Sequence, residues 1–267
     1  MTRPVLSGVY VYPIKSCGGI SLPGADLGAT GLLHDRRWML VDEGGKFMSQ
    51  RRHPRMALIS PRFTPDCLLA SAPGMPDLEV PLEGEPAEHI DVEVWGDLQR
   101  GAPVGGYADR WFGGFLGVPC RLVRKPDDDV RPVDSAYARS GDQTSFADGF
   151  PLLLISEASL EDLNGRLESP VPMNRFRPNL VVRGCGPYAE DGWREIRIGA
   201  ATFRVAEACP RCAITTVDQE SGERGKEPLR TLATYRKADG EVWFGRNLIH
   251  TSPGAVSVGD PVEVTPR

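Results

Sequence analysis

The chain has 267 residues, of which 40% are hydrophobic and 25% charged, with a net charge of −5. That length holds one large β-rich domain or two smaller ones, and the composition is that of a globule. The negative balance excludes a broad basic field for nucleic acid, and no run approaches the ~20 apolar residues of a membrane span.

The amino terminus, "MTRPVLSGVYVYPIKS", lacks the long apolar core of a signal peptide, so a cytoplasmic location is expected, with neither membrane nor nucleic acid as partner. Residues 5–11 read as a strand that ends at Pro13. "RRWMLVDEGGKFMSQ" reads as strand, tight turn and strand, with Gly44-Gly45 at the turn. Short strands are expected around 56–60, 67–71 and 90–95, and a short amphipathic helix over 108–116 closes the first half. Residues 125–150 are polar and rich in Pro, Asp and Ser; a connection this long without regular structure is functional or disordered. "LLLISEASLEDLNGRL" reads as a strand running into a helix with Ser156 as N-cap. "NLVVRG", "WREIRIGAATFRVAE" and "AITTVD" read as strands, with Gly199 at a hairpin turn. Pro228 opens one more helix, and "EVWFGR" and "AVSVGDPVEV" are closing strands. The predicted fold is mainly β (α+β), with a few short helices packed on barrels or curled sheets. The expected division is residues 1–120 and 121–267.

The chemistry concentrates in "EACPRCAITTVDQESGERGKEPLRTLATYR". A structural zinc site needs four ligands, but only Cys209 and Cys212 are paired and the four histidines are dispersed. An iron–sulfur cluster needs more thiolates at a recognisable spacing. A redox dithiol opens a helix, whereas Ala-Ile-Thr-Thr-Val after Cys212 has β propensity. "ERGKEP" lacks the glycine spacing of a phosphate loop. That weakens these readings and leaves a pair of cysteines just before an expected strand, one of which can serve as a single thiolate ligand to a soft metal arriving with its other ligands attached. Cys17, Cys67, Cys120 and Cys185 are scattered singly and read as small buried apolar residues.

"VYPIKSCGG", "DRRWMLVD", "NRFRPNLVV", the C-P-R-C-x-x-T-T-V-D block and "VGDPVEV" together resemble the MOSC family of molybdenum-cofactor proteins, and in particular the mitochondrial amidoxime-reducing component and the YcbX-like proteins. The resemblance spans nearly the whole chain. It implies an N-terminal MOSC-type β-barrel domain followed by a MOSC β-barrel domain. It implies molybdenum-pyranopterin (Mo-molybdopterin) as cofactor, not pyridoxal phosphate, with Cys212 as metal ligand and catalytic residue and Cys209 structural. Lys15, Ser16, Arg36 and Arg177 fall in the cofactor-binding region by the same match, with Asn179 a weaker candidate. Arg211, beside Cys212, is expected to favour its thiolate. Taken alone, Lys15 reads as a solvated lysine at a strand end, and Arg36 as half of a surface pair with Arg37. Asp148, in "SFADGFP", is either a proton relay or an ordinary Asp-Gly turn residue.

The activity implied is that of a molybdenum oxidoreductase reducing small N-hydroxylated substrates: amidoximes, hydroxylamines or N-hydroxylated bases. YcbX-like relatives often continue into a ferredoxin-type domain. This sequence ends at Arg267 with no cysteine after Cys212, so electrons are expected from a separate ferredoxin-, flavodoxin- or cytochrome-like protein with an NAD(P)H reductase. The alternative is a carrier that holds the cofactor, or persulfide sulfur, without turnover.

Overall fold

The strand Val5–Val11 turns Leu6, Val9 and Val11 into the interior and pairs on both sides, antiparallel to Ile20–Leu22 and to Leu180–Arg183. The computed structural model describes residues 3–83 and 88–266. Its largest sheet runs in the order Val262–Pro266, Trp193–Ile198, Ala201–Pro210, Glu241–His250, Leu152–Ser156, Leu180–Arg183, Val5–Val11 and Ile20–Leu22. A bridge from Val5 to Pro261, and the bond from Val262 N–H to the Pro4 carbonyl, bring the far edge back onto the first strand. The sheet therefore curls on itself around Leu6, Leu154, Leu180, Trp193, Phe203 and Leu248. Its parallel pair, Leu152–Ser156 with Leu180–Arg183, is joined through the helix Glu157–Asn164, as a parallel crossover requires.

Two further sheets build the first half, and a third joins Gly24–Gly28 to Gly31–Leu32 and Gly254–Ser257. Trp38–Val41, Arg121–Arg124, Asp97–Pro103 and Ile90–Val94 form one sheet; Ser60–Phe63, Cys67–Ser71 and Leu78–Pro81 form another. The helix Gly106–Leu116 seats Trp111, Phe112 and Phe115 in the core between them. The fold is mainly β, as expected. Strand pairing crosses the expected boundary at residue 120, because the first two strands belong to the sheet of the second half. Among the described residues no helix is long and apolar enough to cross a membrane.

Most predicted elements form, and Ser156 caps its helix by accepting from the Ser159 N–H at 3.1 Å. Three local expectations are corrected. Residues 54–58 make a 3-10 turn, Pro54–Leu58, because Pro54 brings no N–H for a ladder and a φ suited to a helical start. "AITTVD" is a 3-10 turn, Ala213–Thr216, not a strand: the Thr215 and Thr216 hydroxyls donate to the carbonyls of Cys212 and Ala213, and so compete with sheet pairing. The second arm of the 38–50 hairpin shrinks to a bridge, Val41 to Phe47, because the Asp42 side chain binds the N–H groups of Gly44 and Lys46. The segment 125–150 contains no regular element, as its composition predicts.

Candidate functional site

The chain leaves its first strand at Tyr12-Pro13 and turns so that Lys15 and Ser16 point into a cavity of about 510 Å³. All eight residues singled out in the sequence line it: Lys15, Ser16, Arg36, Asp148, Arg177, Asn179, Arg211 and Cys212. One wall comes from the large sheet; Phe47, Arg51 and Trp95 of the first half supply another.

Backbone strain marks this place. Seven described non-glycine residues have positive φ, and four of them line the cavity: Ser16 at 66°, Arg36 at 48°, Trp95 at 57° and Arg177 at 56°. Such conformations are unfavourable for side-chain-bearing residues and persist only where the surroundings impose them.

The cationic end is built around Tyr12. The guanidinium of Arg36 lies 4.5 Å and that of Arg177 4.2 Å from its ring centroid. Arg36 pairs with the Asp35 carboxylate and donates to Asn179 Oδ1 at 2.9 Å. Asn179 is buried. Its Oδ1 also accepts from the Leu153 N–H and its Nδ2 donates to the Tyr10 carbonyl, so it fixes Arg36 more than it offers a free donor. Arg177 is 8% exposed and donates to the Cys17 carbonyl at 2.6 Å; among the described residues no carboxylate pairs with it. Burial, with Arg36 nearby, pushes its guanidinium down to about 10. Burial likewise pushes the Tyr12 phenol up to about 12, against the pull of both arginines.

Lys15 is 5% exposed, which corrects the picture of a solvated strand-end lysine. Its Nζ donates to the Phe146 carbonyl at 2.7 Å and to Asp148 Oδ1 at 2.5 Å. Burial lowers its pKa, and Asp148 opposes that. The Asp148 side chain is 62% exposed toward the open cavity. Partial burial pushes its carboxyl up, but the Lys15 ammonium, the Trp95 indole at 2.9 Å and the Arg51 charge outweigh this and hold it well below the usual carboxylate range.

At the C-x-x-C, the strand Ala201–Pro210 ends between the two cysteines, and Cys212 begins the 3-10 turn. Arg211 does not serve Cys212 as expected. Its Nη1 donates to Cys209 Sγ at 2.9 Å and its Nη2 to the Phe176 carbonyl at 2.7 Å. Burial raises the Cys209 thiol, and Arg211 only partly offsets it. No hydrogen bond from the described residues reaches Cys212 Sγ. No group of three or more His, Cys, Asp or Glu among them converges on a metal position.

Sequence reasoning missed Tyr12, Phe47, Arg51 and Trp95. Tyr12 sits inside the quoted "VYPIKS". The others carry no motif, and Arg51 meets Trp95, its guanidinium 4.0 Å from the ring, only because two distant loops converge.

The chain matches the MOSC N-terminal beta barrel domain over residues 3–119 and the MOSC domain over residues 141–263. It is 40% identical to mitochondrial amidoxime-reducing component 1 of Mus musculus, covering 95% of this chain and 80% of that protein. The Homo sapiens component 1 is 38% identical, covering 95% and 81%. A molybdenum cofactor sulfurase of Oryza sativa subsp. japonica is 35% identical over 90% of this chain but only 32% of its own length. The amidoxime-reducing relatives are named as mitochondrial, and that finding overturns the cytoplasmic location expected from the amino terminus.

Proposed function

This chain belongs to the MOSC family, and from that premise we propose that it is a molybdenum-cofactor-dependent reductase of N-hydroxylated compounds, amidoximes among them, that takes electrons from a separate redox protein. The observation that carries this reading is the donor set of one cavity. The buried Arg177 and the half-buried Arg211 bring guanidinium charge to it without a carboxylate ion pair among the described residues, beside a half-buried thiol that no protein donor occupies. Buried cations without counter-charge are costly, so such a cavity favours an anion. A phosphate-bearing pterin that brings metal ligands of its own fits this set: the cavity offers one soft ligand and fixed cations, not a cage for a bare ion.

In this reading Cys212 holds the metal. Arg177, Arg36, Lys15 and Ser16 hold the phosphate and pterin, and Tyr12 keeps the two guanidiniums in place. Arg211 ties the C-x-x-C to the 176–179 segment through Cys209 and the Phe176 carbonyl, so its effect on Cys212 is positional. When bound, the cofactor supplies the two-electron chemistry that breaks the N–O bond. The chain supplies orientation and a proton. In the Lys15–Asp148 pair the proton rests on Nζ of Lys15, because the Asp148 carboxyl is held below its usual range. The relay role expected of Asp148 therefore passes to Lys15, with Asp148 as its counter-charge.

The test is metal analysis and turnover of protein made in a host that synthesises the cofactor. Near-stoichiometric molybdenum, with oxidation of a chemically reduced dye only when an amidoxime is added, is expected. The sulfurase relative favours a second reading, a carrier; bound molybdenum without dye oxidation would select it.

A further inference from the structure

Arg131 lies in the irregular segment between the strands Arg121–Arg124 and Leu152–Ser156, and it does not line the cavity. It is 4% exposed. Its Nη1 donates to the carbonyls of Ser145 at 3.3 Å and Ala147 at 2.5 Å. Its Nη2 donates to the Asp148 carbonyl at 3.1 Å and to Asp97 Oδ2 at 2.9 Å. Three of these acceptors are backbone of the loop that presents Asp148. The fourth is two residues beyond Trp95, just past the tip of the hairpin between Ile90–Val94 and Asp97–Pro103.

One guanidinium therefore spans the two walls that meet at the site. Their side chains already touch there: the Trp95 indole donates to the same Asp148 oxygen that holds Lys15. A loop without a sheet ladder must satisfy its carbonyls one by one, and carbonyls drawn to a single point need a multi-donor fork. The hairpin tip is a two-residue turn with φ of 57° at Trp95 and 91° at Gly96; the glycine takes this freely, whereas a tryptophan rarely does.

We propose that Arg131 is a positioning residue of this site: it locks the 145–148 loop to the Trp95 hairpin, so that Asp148 stays seated on Lys15 and Trp95. As a statement about catalysis this rests on the reductase reading above. Lys15, Arg36 and Asp35 also hold Ser145 and Phe146, but among these anchors only Arg131 binds the Ala147 and Asp148 carbonyls and the opposite wall together.

The experiment compares Arg131→Gln, Arg131→Lys and Asp97→Asn with the parent chain, at measured molybdenum content and with thermal unfolding recorded. Arg131→Gln is expected to lower kcat by about ten- to a hundredfold, the scale of a misplaced catalytic group. Arg131→Lys should recover part of this, and Asp97→Asn should lose less because the three loop carbonyls stay bound. A second readout needs neither cofactor nor turnover. Acrylamide quenching of Trp95, taken as the difference made by Trp95→Phe in each background, should shift in Arg131→Gln toward that of a free indole. Unchanged kcat per metal together with unchanged Trp95 quenching overturns the proposal, even if the variant melts earlier. Should the parent chain reduce no N-hydroxylated compound, the reductase reading falls, and the quenching comparison still decides whether Arg131 holds the two walls together.

Discussion

Two cysteines three residues apart have different surroundings, and the difference is testable. Cys209 is occupied by Arg211, while Cys212 faces the cavity without a donor. Cys212→Ala should abolish reductase activity, whereas Cys209→Ala should weaken it; the reverse order in a turnover assay per mole of protein would exchange their roles. Arg177 is the cavity's most enclosed cation without a carboxylate. Arg177→Ala should lower cofactor affinity roughly ten- to a hundredfold, as loss of a charged hydrogen bond worth about 1.5–3 kcal/mol implies. Metal content under limiting cofactor is the measurement, and full occupancy contradicts the clamp. For Asp148→Asn, Lys15 loses its counter-charge and releases its proton more readily. Turnover should fall, and the defect should shrink as pH drops and refills Lys15. A pH–rate profile that overlays the parent's leaves Asp148 as a turn residue. The stability consequence has a definite sign. The folded carboxyl lies below its ordinary value of about 3.9, so its contribution is complete above that value and is lost only as pH falls through the folded one. The melting-temperature gap to Asp148→Asn should therefore narrow as pH falls below about 4.

Among the elements, the strand Leu152–Ser156 and its helix show how a site is held from behind. Leu152 and Leu153 line the cavity, and Ser156 at the far end caps the helix. Beneath it the buried Glu190 accepts from the Ser156 N–H at 3.1 Å and from the Ser159 hydroxyl at 2.7 Å. Ser156→Ala removes the cap and should cost about 0.5–2 kcal/mol in urea unfolding. Activity per bound metal should not change, since the cap lies away from the cavity; a drop in that ratio would refute the separation. This strand–helix unit was readable in advance because its signals are local: an apolar run, a capping serine and early acidic residues. The turn after Cys212 was not, because Ala-Ile-Thr-Thr-Val has β propensity, and it was the two threonine hydroxyls that settled the turn.

For the whole molecule, the first strand belongs to the second half's sheet. Leu6, Val9 and Val11 complete its core, and Val5–Val11 covers the edge of Leu180–Arg183. A chain of residues 121–267 alone would expose that edge and leave the core open. It should lack a cooperative thermal transition and bind an apolar dye. Adding residues 1–32 as a separate peptide should restore protection of the sheet's amides from hydrogen exchange. A sharp melt of the fragment on its own would count against closure by the first strand.

The sequence by itself determined the family, the mainly-β class and the identity of the candidate residues. Those rest on short contiguous blocks, "VYPIKS", "NRFRPN" and C-P-R-C, whose spacing survives without any knowledge of the fold. It also determined that 125–150 would carry no regular element. Only the tertiary structure decided that Lys15 is buried against Asp148, that Arg211 donates to Cys209, and that Trp95 and Arg51 line the cavity. Apart from Arg211–Cys209, two residues apart, these contacts join residues far apart in the chain. Their energies come from burial and from charges brought within hydrogen-bond reach, quantities that no local pattern encodes.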